Sequence, residues 1–347
     1  MTIASEITRI KTNIDNAYTA LEAKGATMPE VKNSANLAST VNTISGGSSG
    51  ETNYLGRIIT EDGVFQFSTE SFSFSLPNNV TSIGTYGLYF AFYGCTSLTS
   101  VDLSSVTSIG SSGLNYAFYG CTSLTSVDLS SVTSIGDGGL QYAFQNCIRL
   151  TSTGLNNVTS IGDVGLNSAF YNCIRLTSTG LDNVTSIGNS GLFNAFYDCT
   201  SLTSTGLDNV TSIDNYGLNY AFYGCTSLTS TGLDSVTSIG NYGLAWAFDG
   251  CTSLTSTGLD SVTSIGRYGL QNAFYGCTSL TSISFPALNS NSFGSYTNQF
   301  NSMLQGVTGC TVHFPANLES IIGSWSSVID GFGGTNTTVL FDLPATT

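Results

Sequence analysis

Nine thiols, one imidazole and a file of carboxylates are the groups in this 347-residue chain that could do chemistry, and their spacing argues against most of it. Cys95, Cys121, Cys147, Cys173, Cys199, Cys225, Cys251 and Cys277 recur every 26 residues, with Cys310 outside the series. Zinc sites need close pairs such as Cys-x-x-Cys, and one half-cystine per long repeat is not the spacing of a disulfide scaffold. A solitary thiol once per repeat reads as a small core residue stacking into a column. No His or cationic group stands beside these thiols to activate them. His313 is the only histidine; it lies opposite the apolar face of the alternating run Cys310-Thr-Val312-His-Phe314, as a solvated strand residue rather than a general base. Asp182, Asp208, Asp234 and Asp260 occupy equivalent sites, about 5 Å apart if successive turns stack. Calcium could relieve their repulsion, but no second carboxylate column accompanies them and solvent screening suffices. No phosphate-cradling GxxxxGK loop occurs. The expectation is a chain without catalytic residues, metal or cofactor.

The aromatic residues carry a stronger signal. They recur with the same period on positions that face away from the apolar stripe. One column holds Tyr86, Tyr216, Tyr242 and Tyr268; a second holds Tyr89 and Phe193; a third holds Phe90, Tyr116, Tyr142, Tyr220 and Trp246. A nearly constant fourth holds Tyr93, Tyr119, Tyr171, Tyr197, Tyr223 and Tyr275. The other occupants are mainly Ser, Asn, Gln and Gly. Tyrosine mixed with Ser, Asn and Gly is the composition of a paratope: rigid amphipathic area with adaptable hydrogen bonding. Aromatic faces and amides also suit sugar rings. The plainer alternative is that these tyrosines only shield the turns beneath them.

The elements that must position these columns follow from one repeat, residues 95–120. Val101 and Leu103 alternate with polar neighbours, which predicts a short strand with one buried face, and Val106-Thr-Ser-Ile109 continues extended until Gly110. Leu114, Ala117, Phe118 and Cys121 then sit at i, i+3, i+4 and i+7, the stripe of a two-turn helix. The residue after each Ile-Gly pair (Thr85, Ser111, Asp137, Asp163, Asn189, Asn241, with Arg267 the exception) fits its N-cap, as does Asn215 after Ile213-Asp214. One such turn buries too little to fold alone, so eight must stack and be capped at both ends. The second half of the strand pattern at Leu76–Gly84 begins the stack. Phe300, Met303, Leu304 and Val307 give a further helical stripe, Asn317–Gly323 echoes Val-Thr-Ser-Ile-Gly, and Thr338–Leu343 supplies a closing strand. The expected organisation is an N-terminal helical module at 1–46, a linker and β cap at 47–75, an α/β repeat solenoid at 76–285, and a divergent capping repeat at 286–347.

The arm before the solenoid has its own pattern. Ile3, Ile7, Ile10, Ile14, Ala17 and Leu21 are spaced 4, 3, 4, 3 and 4 residues apart, a heptad seam whose isoleucines favour three strands or four over two. Thr27-Met-Pro29-Glu30 is a capping box opening a second helix with Leu37, Val41 and Ile44, and Ser45–Gly50 is a flexible linker. The seam predicts a homo-oligomer, with a monomeric helical hairpin as the alternative. Charged residues make up 9% of the chain and the net charge is −14, with only 8 Lys and Arg, so nucleic acid is excluded as a partner. No run approaches the roughly 20 apolar residues that span a bilayer, and Glu6, Arg9, Lys11 and Asp15 stand where an export signal would carry its apolar core.

The order Leu-x-x-(Ile/Val)-x-(Leu/Ile)-x-x-Val-x-x-Ile-Gly, followed by Ala-Phe-x-x-Cys-x-x-Leu, resembles the BspA-like leucine-rich repeats. The likeness is carried by residues such as Val106–Gly110, Ala117-Phe118, Cys121 and Leu124, and covers 76–285. This chain departs by an inserted Gly-Leu-x-x before Ala-Phe, which lengthens the expected helix. The resemblance implies a leucine-rich-repeat fold with adhesive or recognition roles and no catalysis. The N-terminal segment ITRIKTNIDNAYTALEAKGATMPEVKNSANLASTVNTI and the C-terminal GVTGCTVHFP…GFGGTNTTVLFDLP are similar to segments of tail-fibre-like proteins of phages and prophages of gut Firmicutes. That similarity implies a virion-tail location, assembly in the host cytoplasm, a trimeric attachment module and a cell-surface glycan or protein receptor. The alternatives are a bacterial surface or extracellular adhesin, and a passive structural spacer.

Overall fold

The structure is a computed structural model that describes residues 72–76, 78–293, 298–322 and 331–346. The heptad seam of Ile3, Ile7, Ile10, Ile14 and Leu21, the second helix and the Ser45–Gly50 linker lie outside the described residues. What is described is one continuous solenoid of 26-residue coils laid in register, each residue over its counterpart in the coil before. Ser108 and Ile109 pair in parallel with Ser82 and Ile83 behind and with Ser134 and Ile135 ahead. The same register continues through Ser160–Ile161 and Ser186–Ile187. Phe72–Ser75, Leu98–Asp102 and Ser126–Asp128 form a second parallel sheet. Ser282–Ser284, Thr311–Pro315 and Thr338–Leu343 close the far end.

The core is a bundle of files along the solenoid axis. Phe92, Phe118, Phe144, Phe170, Phe196, Phe222, Phe248 and Phe274 are fully buried, each ring stacked nearly parallel on the next. Leu, Val, Ile and Ala files run beside them. The eight periodic cysteines form another buried file, and Cys121 Sγ donates to the Phe92 carbonyl at 3.2 Å, a bond repeated up to Cys277 and Phe248. Burial pushes the Cys147, Cys173, Cys199 and Cys225 thiols well up, so they stay protonated donors and not nucleophiles.

The expected helix is absent, and its replacement has a definite geometry. In residues 110–121 alternate N–H groups stay within the coil: Gly113 donates to Gly110, Asn115 to Ser112, Ala117 to Leu114, and Cys121 to Phe118. The intervening ones cross to the next coil: Ser112 donates to Asp137, Leu114 to Gly139, Tyr116 to Gln141, and Phe118 to Ala143. An α-helix needs every N–H for its own i−4 carbonyl, so this ribbon of tight turns cannot be one. It repeats every four residues, with positive φ at Ser112, Tyr116 and Gly120. The spacing i, i+3, i+4, i+7 is common to both structures over two turns. Phe300, Met303, Leu304 and Val307 also belong to turns, with Met303 N–H on Phe300 and Leu304 N–H on Phe332.

The expected N-caps therefore have no helix to cap. Instead Asp137 Oδ1 accepts the N–H of Asp163, Asp163 Oδ1 that of Asn189, and Asn241 Oδ1 that of Arg267, a ladder between counterparts. Asn317–Gly323 does not repeat the Ser-Ile strand either: Ala316–Leu318 is a 3-10 turn running into a four-residue helix, Glu319–Ile322. In the later coils Val101 and Val127 give way to buried Thr153, Thr179, Thr205 and Thr231, and Asp102 and Asp128 to glycine. Thr179 Oγ1 donates to Thr205 O at 2.6 Å and accepts the Leu181 N–H, while Gly180 has φ +68°, which ends the strand there.

One joint is looser than the rest. The two-residue ladder stops after Ser186–Ile187 and resumes at Ser212–Ile213. The residue after Ile213 is Asp214, where the coils on either side have glycine. At the equivalent Gly188 a Cβ would lie 2.8 Å from Asp163 N and 2.9 Å from the Gly162 carbonyl carbon. Asp214 carries a Cβ where those coils have none, and there the Ser-Ile ladder is interrupted, while Leu192 N–H to Gly217 and Phe196 N–H to Ala221 still cross the joint at 2.9 and 2.8 Å.

Candidate recognition face

The turn ribbons of all coils lie side by side, so their outward positions make one continuous face. Three of its columns are left-handed positions, and the residues chosen for them differ. The column of Gly94, Gly120, Asn146, Asn172, Asp198, Gly224, Gly250 and Gly276 uses residue types that tolerate positive φ. The other two carry aromatics at the same conformation: Tyr86, Tyr216, Tyr242 and Tyr268 in one, Phe90, Tyr116, Tyr142, Tyr220 and Trp246 in the other, all with φ between 53° and 58°. A bulky side chain there costs roughly 1–2 kcal/mol. Stacking offsets part of it, at about 0.5–1.5 kcal/mol per pair.

The rings form files. Phe90, Tyr116 and Tyr142 stack with centroids 4.6 and 4.5 Å apart. Tyr171, Tyr197 and Tyr223 follow at 4.6 and 4.3 Å, Tyr216, Tyr242 and Tyr268 at 5.0 Å, and Tyr220 with Trp246 at 5.6 Å. Tyr89 meets Phe90 edge-on, and Phe193 meets Tyr220 likewise. Ring faces are thus largely occupied by other rings; edges, phenol hydroxyls and file ends are what the surface offers. Stacking of sugars on open ring faces, as the composition alone suggested, is confined to those ends.

The face divides in two. Tyr86, Tyr89, Phe90, Tyr93, Tyr116, Tyr119 and Tyr142 make one aromatic block; Tyr171, Phe193 and Tyr197 with those from Tyr216 to Tyr275 make another. Val164, Ser168, Ser190 and Asn194 hold the left-handed columns between them. Tyr86 is 57% exposed and Tyr216 42%, while Tyr116, Tyr142, Tyr220, Tyr242, Trp246 and Tyr268 are half-buried. Arg267 lays its guanidinium 5.1 Å from the Tyr268 ring centroid.

The remaining candidates lie elsewhere. Asp182, Asp208, Asp234 and Asp260 are exposed, and Asp260 Oδ1 accepts the Ser284 hydroxyl. No group of three His, Cys, Asp or Glu among the described residues could hold a metal ion. His313 is half-buried on its strand, with Nδ1 2.9 Å from Asp342 Oδ1. An open pocket of about 470 Å³ lies on the strand side at the changeover from Val-Asp to Thr-Gly coils, lined in part by Asp102, Val127, Asp128 and Asn156. Sequence reasoning passed over Asp249, which takes the file position between Tyr223 and Tyr275 and is only 6% exposed. Burial pushes its carboxyl up to about 6. A charge in a column otherwise filled by Tyr and Gln was the available signal.

The description of the BspA type leucine-rich repeat region matches this chain in six copies, over residues 58–194, 114–218 and 218–324, more than half its length. The chain belongs to the BspA-type leucine-rich repeat family. No curated protein matches it significantly. Among solved structures it is similar to an internalin (inlF) of Listeria monocytogenes at 13% identity, covering 92% of this chain and 95% of that one with a TM-score of 0.21. It is also similar to the protein of a TLR13–ssRNA13 complex, at 14% identity, 83% and 47% coverage and TM-score 0.23. A third is the ectodomain of the receptor kinase GASSHO1/SCHENGEN3 of Arabidopsis thaliana, at 12% identity, 77% and 49% coverage and TM-score 0.18. The chain thus spans about half the length of the second and third of these. At such TM-scores the geometry of this BspA-type solenoid rests on its own repeat. Among its described residues no helix is long and apolar enough to cross a membrane.

Proposed function

We infer that this is a non-catalytic recognition protein whose turn-ribbon face contacts a cell-surface glycan or protein. The observation that carries the reading is the placement of nine aromatic side chains at left-handed positions. A neighbouring column shows that Gly and Asn serve that conformation at lower cost, so the aromatics answer to something other than the fold. Strain kept in this way is characteristic of functional surfaces. The repeat family, with its adhesive members, supports the same reading.

The context we infer is a phage or prophage tail-fibre-like receptor-binding protein, in which residues 1–46 attach and trimerise while the solenoid presents the face. Its support is the heptad seam and the similarity of both terminal segments to such proteins. Baseplate and lysis genes beside the coding sequence, together with a trimer mass for the full chain, are the expected findings; an export locus would point to a surface adhesin instead.

The deciding experiment replaces Tyr220, Tyr242 and Trp246 with Asn, which this face already carries at Asn194 and Asn272. Adhesion to cells or to a glycan array should be lost, with thermal stability retained or raised. Stability lost with adhesion intact would make the rings a passive shield and refute the reading.

A further inference from the structure

Two neighbouring coils break the repeat at one corner. The other six follow their buried cysteine with Thr-Ser, from Thr96-Ser97 to Thr278-Ser279, whereas these two carry Ile148-Arg149 and Ile174-Arg175. The fold does not ask for the change. A hydroxyl at this corner can reach the coil behind, as Ser227 Oγ donates to the Thr200 carbonyl at 2.7 Å, and Ile-Arg gives that up. It also leaves Ile174 39% exposed, with both arginines exposed beside the isoleucines. The two corners are held in register from either side. Asn172 Nδ2 donates to Asn146 Oδ1 at 3.0 Å before them, and Thr153 Oγ1 donates to the Thr179 carbonyl at 2.6 Å after them. Arg149 and Arg175 therefore leave the backbone one coil apart, about 5 Å. Like charges so placed repel, and no acidic side chain among the described residues pairs with either guanidinium. With Arg267 they are the only Lys or Arg side chains among the described residues, in a chain of net charge −14.

We propose that the Arg149–Arg175 pair binds the acid group of an anionic glycan. The proposal rests on the recognition reading and deepens it, by naming the class of glycan that crosses the ribbon. The pair follows the ribbon corners Asn146 and Asn172 by three residues, in the coils where the two aromatic blocks meet and Val164 and Ser168 stand in place of rings. An oxyanion between two guanidiniums cancels their repulsion and accepts parallel N–H···O bonds from each, a geometry that the planar fork of arginine supplies and lysine does not. Ile148 and Ile174 offer apolar area to the C–H face of the attached sugar. The rest of the described solenoid is acidic, and salt confines the attraction to about 8 Å around the pair. Recognition is thus of an acid group at one place along the glycan, not of a polyanion along the whole face. A carboxylate, a phosphodiester and a sulfate ester share this chemistry.

The test measures binding of the full chain to immobilised polygalacturonate, poly(glycerol phosphate) and dextran sulfate, with neutral dextran as the control. Saturable, salt-sensitive binding to at least one anionic polymer and none to dextran is the expected result, and the polymer that binds identifies the acid group. The variant Ile148→Thr, Arg149→Ser, Ile174→Thr, Arg175→Ser gives these coils the residues of the other six, so it should melt no lower than the parent while binding is lost. Arg149→Lys with Arg175→Lys keeps the charge without the forks and should bind about tenfold more weakly. No saturable binding to any of the three polymers, equal binding to dextran, or binding unchanged in the Thr-Ser variant or in the lysine variant would overturn the proposal. Adhesion that the Thr-Ser variant keeps and the Tyr220, Tyr242 and Trp246 variant loses would leave the recognition reading standing without this site. Adhesion lost only in the Thr-Ser variant would instead overturn the aromatic reading and leave the arginine pair in place.

Discussion

Replacing Phe222 by alanine should cost the solenoid far more than an average core truncation. The ring is fully buried, with Phe196 and Phe248 stacked on its two faces at 5.5 Å and within 5° of parallel. Deleting it forfeits the transfer free energy of an aromatic side chain and two stacked contacts. The neighbouring coils cannot close the gap, because main-chain bonds fix their spacing: Phe196 N–H donates to Ala221 and Phe222 N–H to Ala247, both at 2.8 Å. The cost belongs at the upper end of the range for such changes, about 4–5 kcal/mol, whereas Phe222→Leu should cost about 1–2 kcal/mol. A second effect follows from the one-dimensional architecture. A weak coil in the middle uncouples the coils on either side, so urea unfolding followed by tyrosine and tryptophan fluorescence should lose cooperativity and its apparent m-value should fall. A loss below about 2 kcal/mol with an unchanged m-value would refute the claim that coil spacing is held rigidly by the backbone.

Other substitutions probe the joints and the buried Asp249. Asp214→Gly should let the Ser-Ile ladder close between residues 187 and 212 and raise stability by about 1–2 kcal/mol, read as a higher urea midpoint. Gly165→Ala should destabilise by about 1–3 kcal/mol in the same measurement, since its Cβ would stand 2.8 Å from Ile161 Cγ2 and 2.9 Å from Gly162 O. Asp249→Asn should stabilise the protein near neutral pH. Burial pushes the folded-state carboxyl up to about 6, above the ordinary aspartate value of 3.8. The folded protein therefore holds the proton more tightly, and the stability this confers is complete below about pH 4 and lost as pH rises through 6. Variant and parent should thus melt together at about pH 4 and diverge by about 3 kcal/mol at pH 7.5; parallel curves would contradict the burial of that carboxyl. Cys199→Ser keeps a donor to the Phe170 carbonyl and should cost less than Cys199→Val, which crowds the file; midpoints in the reverse order would show that the thiol file is not set by coil spacing.

The stack itself was legible because a thiol, a phenylalanine and a leucine every 26 residues can be satisfied only by coils in register. The buried files of Cys95–Cys277, Phe92–Phe274 and the Ile of each Ser-Ile pair lie where that period puts them. The local conformation was not legible from the same residues. Leu114, Ala117, Phe118 and Cys121 fit a helix and a four-residue turn ribbon equally well. The discriminating signal was Gly113, Ala117 and Cys121, small residues every fourth position, together with Gly120 at a left-handed corner. Asp137 and Asn241 look like caps because their side chains do accept backbone N–H groups; the groups belong to the next coil, 26 residues away, which a single sequence does not bring near. The Thr153–Thr231 file was hidden for a similar reason, since its hydroxyls donate across coils. The aromatic columns could be read from the sequence, but their strain, their mutual stacking and the burial of Asp249 are properties of the stack.

Hydrogen–deuterium exchange of the full chain, free and adsorbed to a cell surface that retains it, tests the central claim most directly. The account predicts slowed exchange in the aromatic ribbons, residues 85–94, 111–120 and 137–146 in one block and 215–224, 241–250 and 267–276 in the other. Protection on the exposed threonine strands around Thr107, Thr133 and Thr159, with those ribbons unchanged, would place recognition on the opposite side and contradict it.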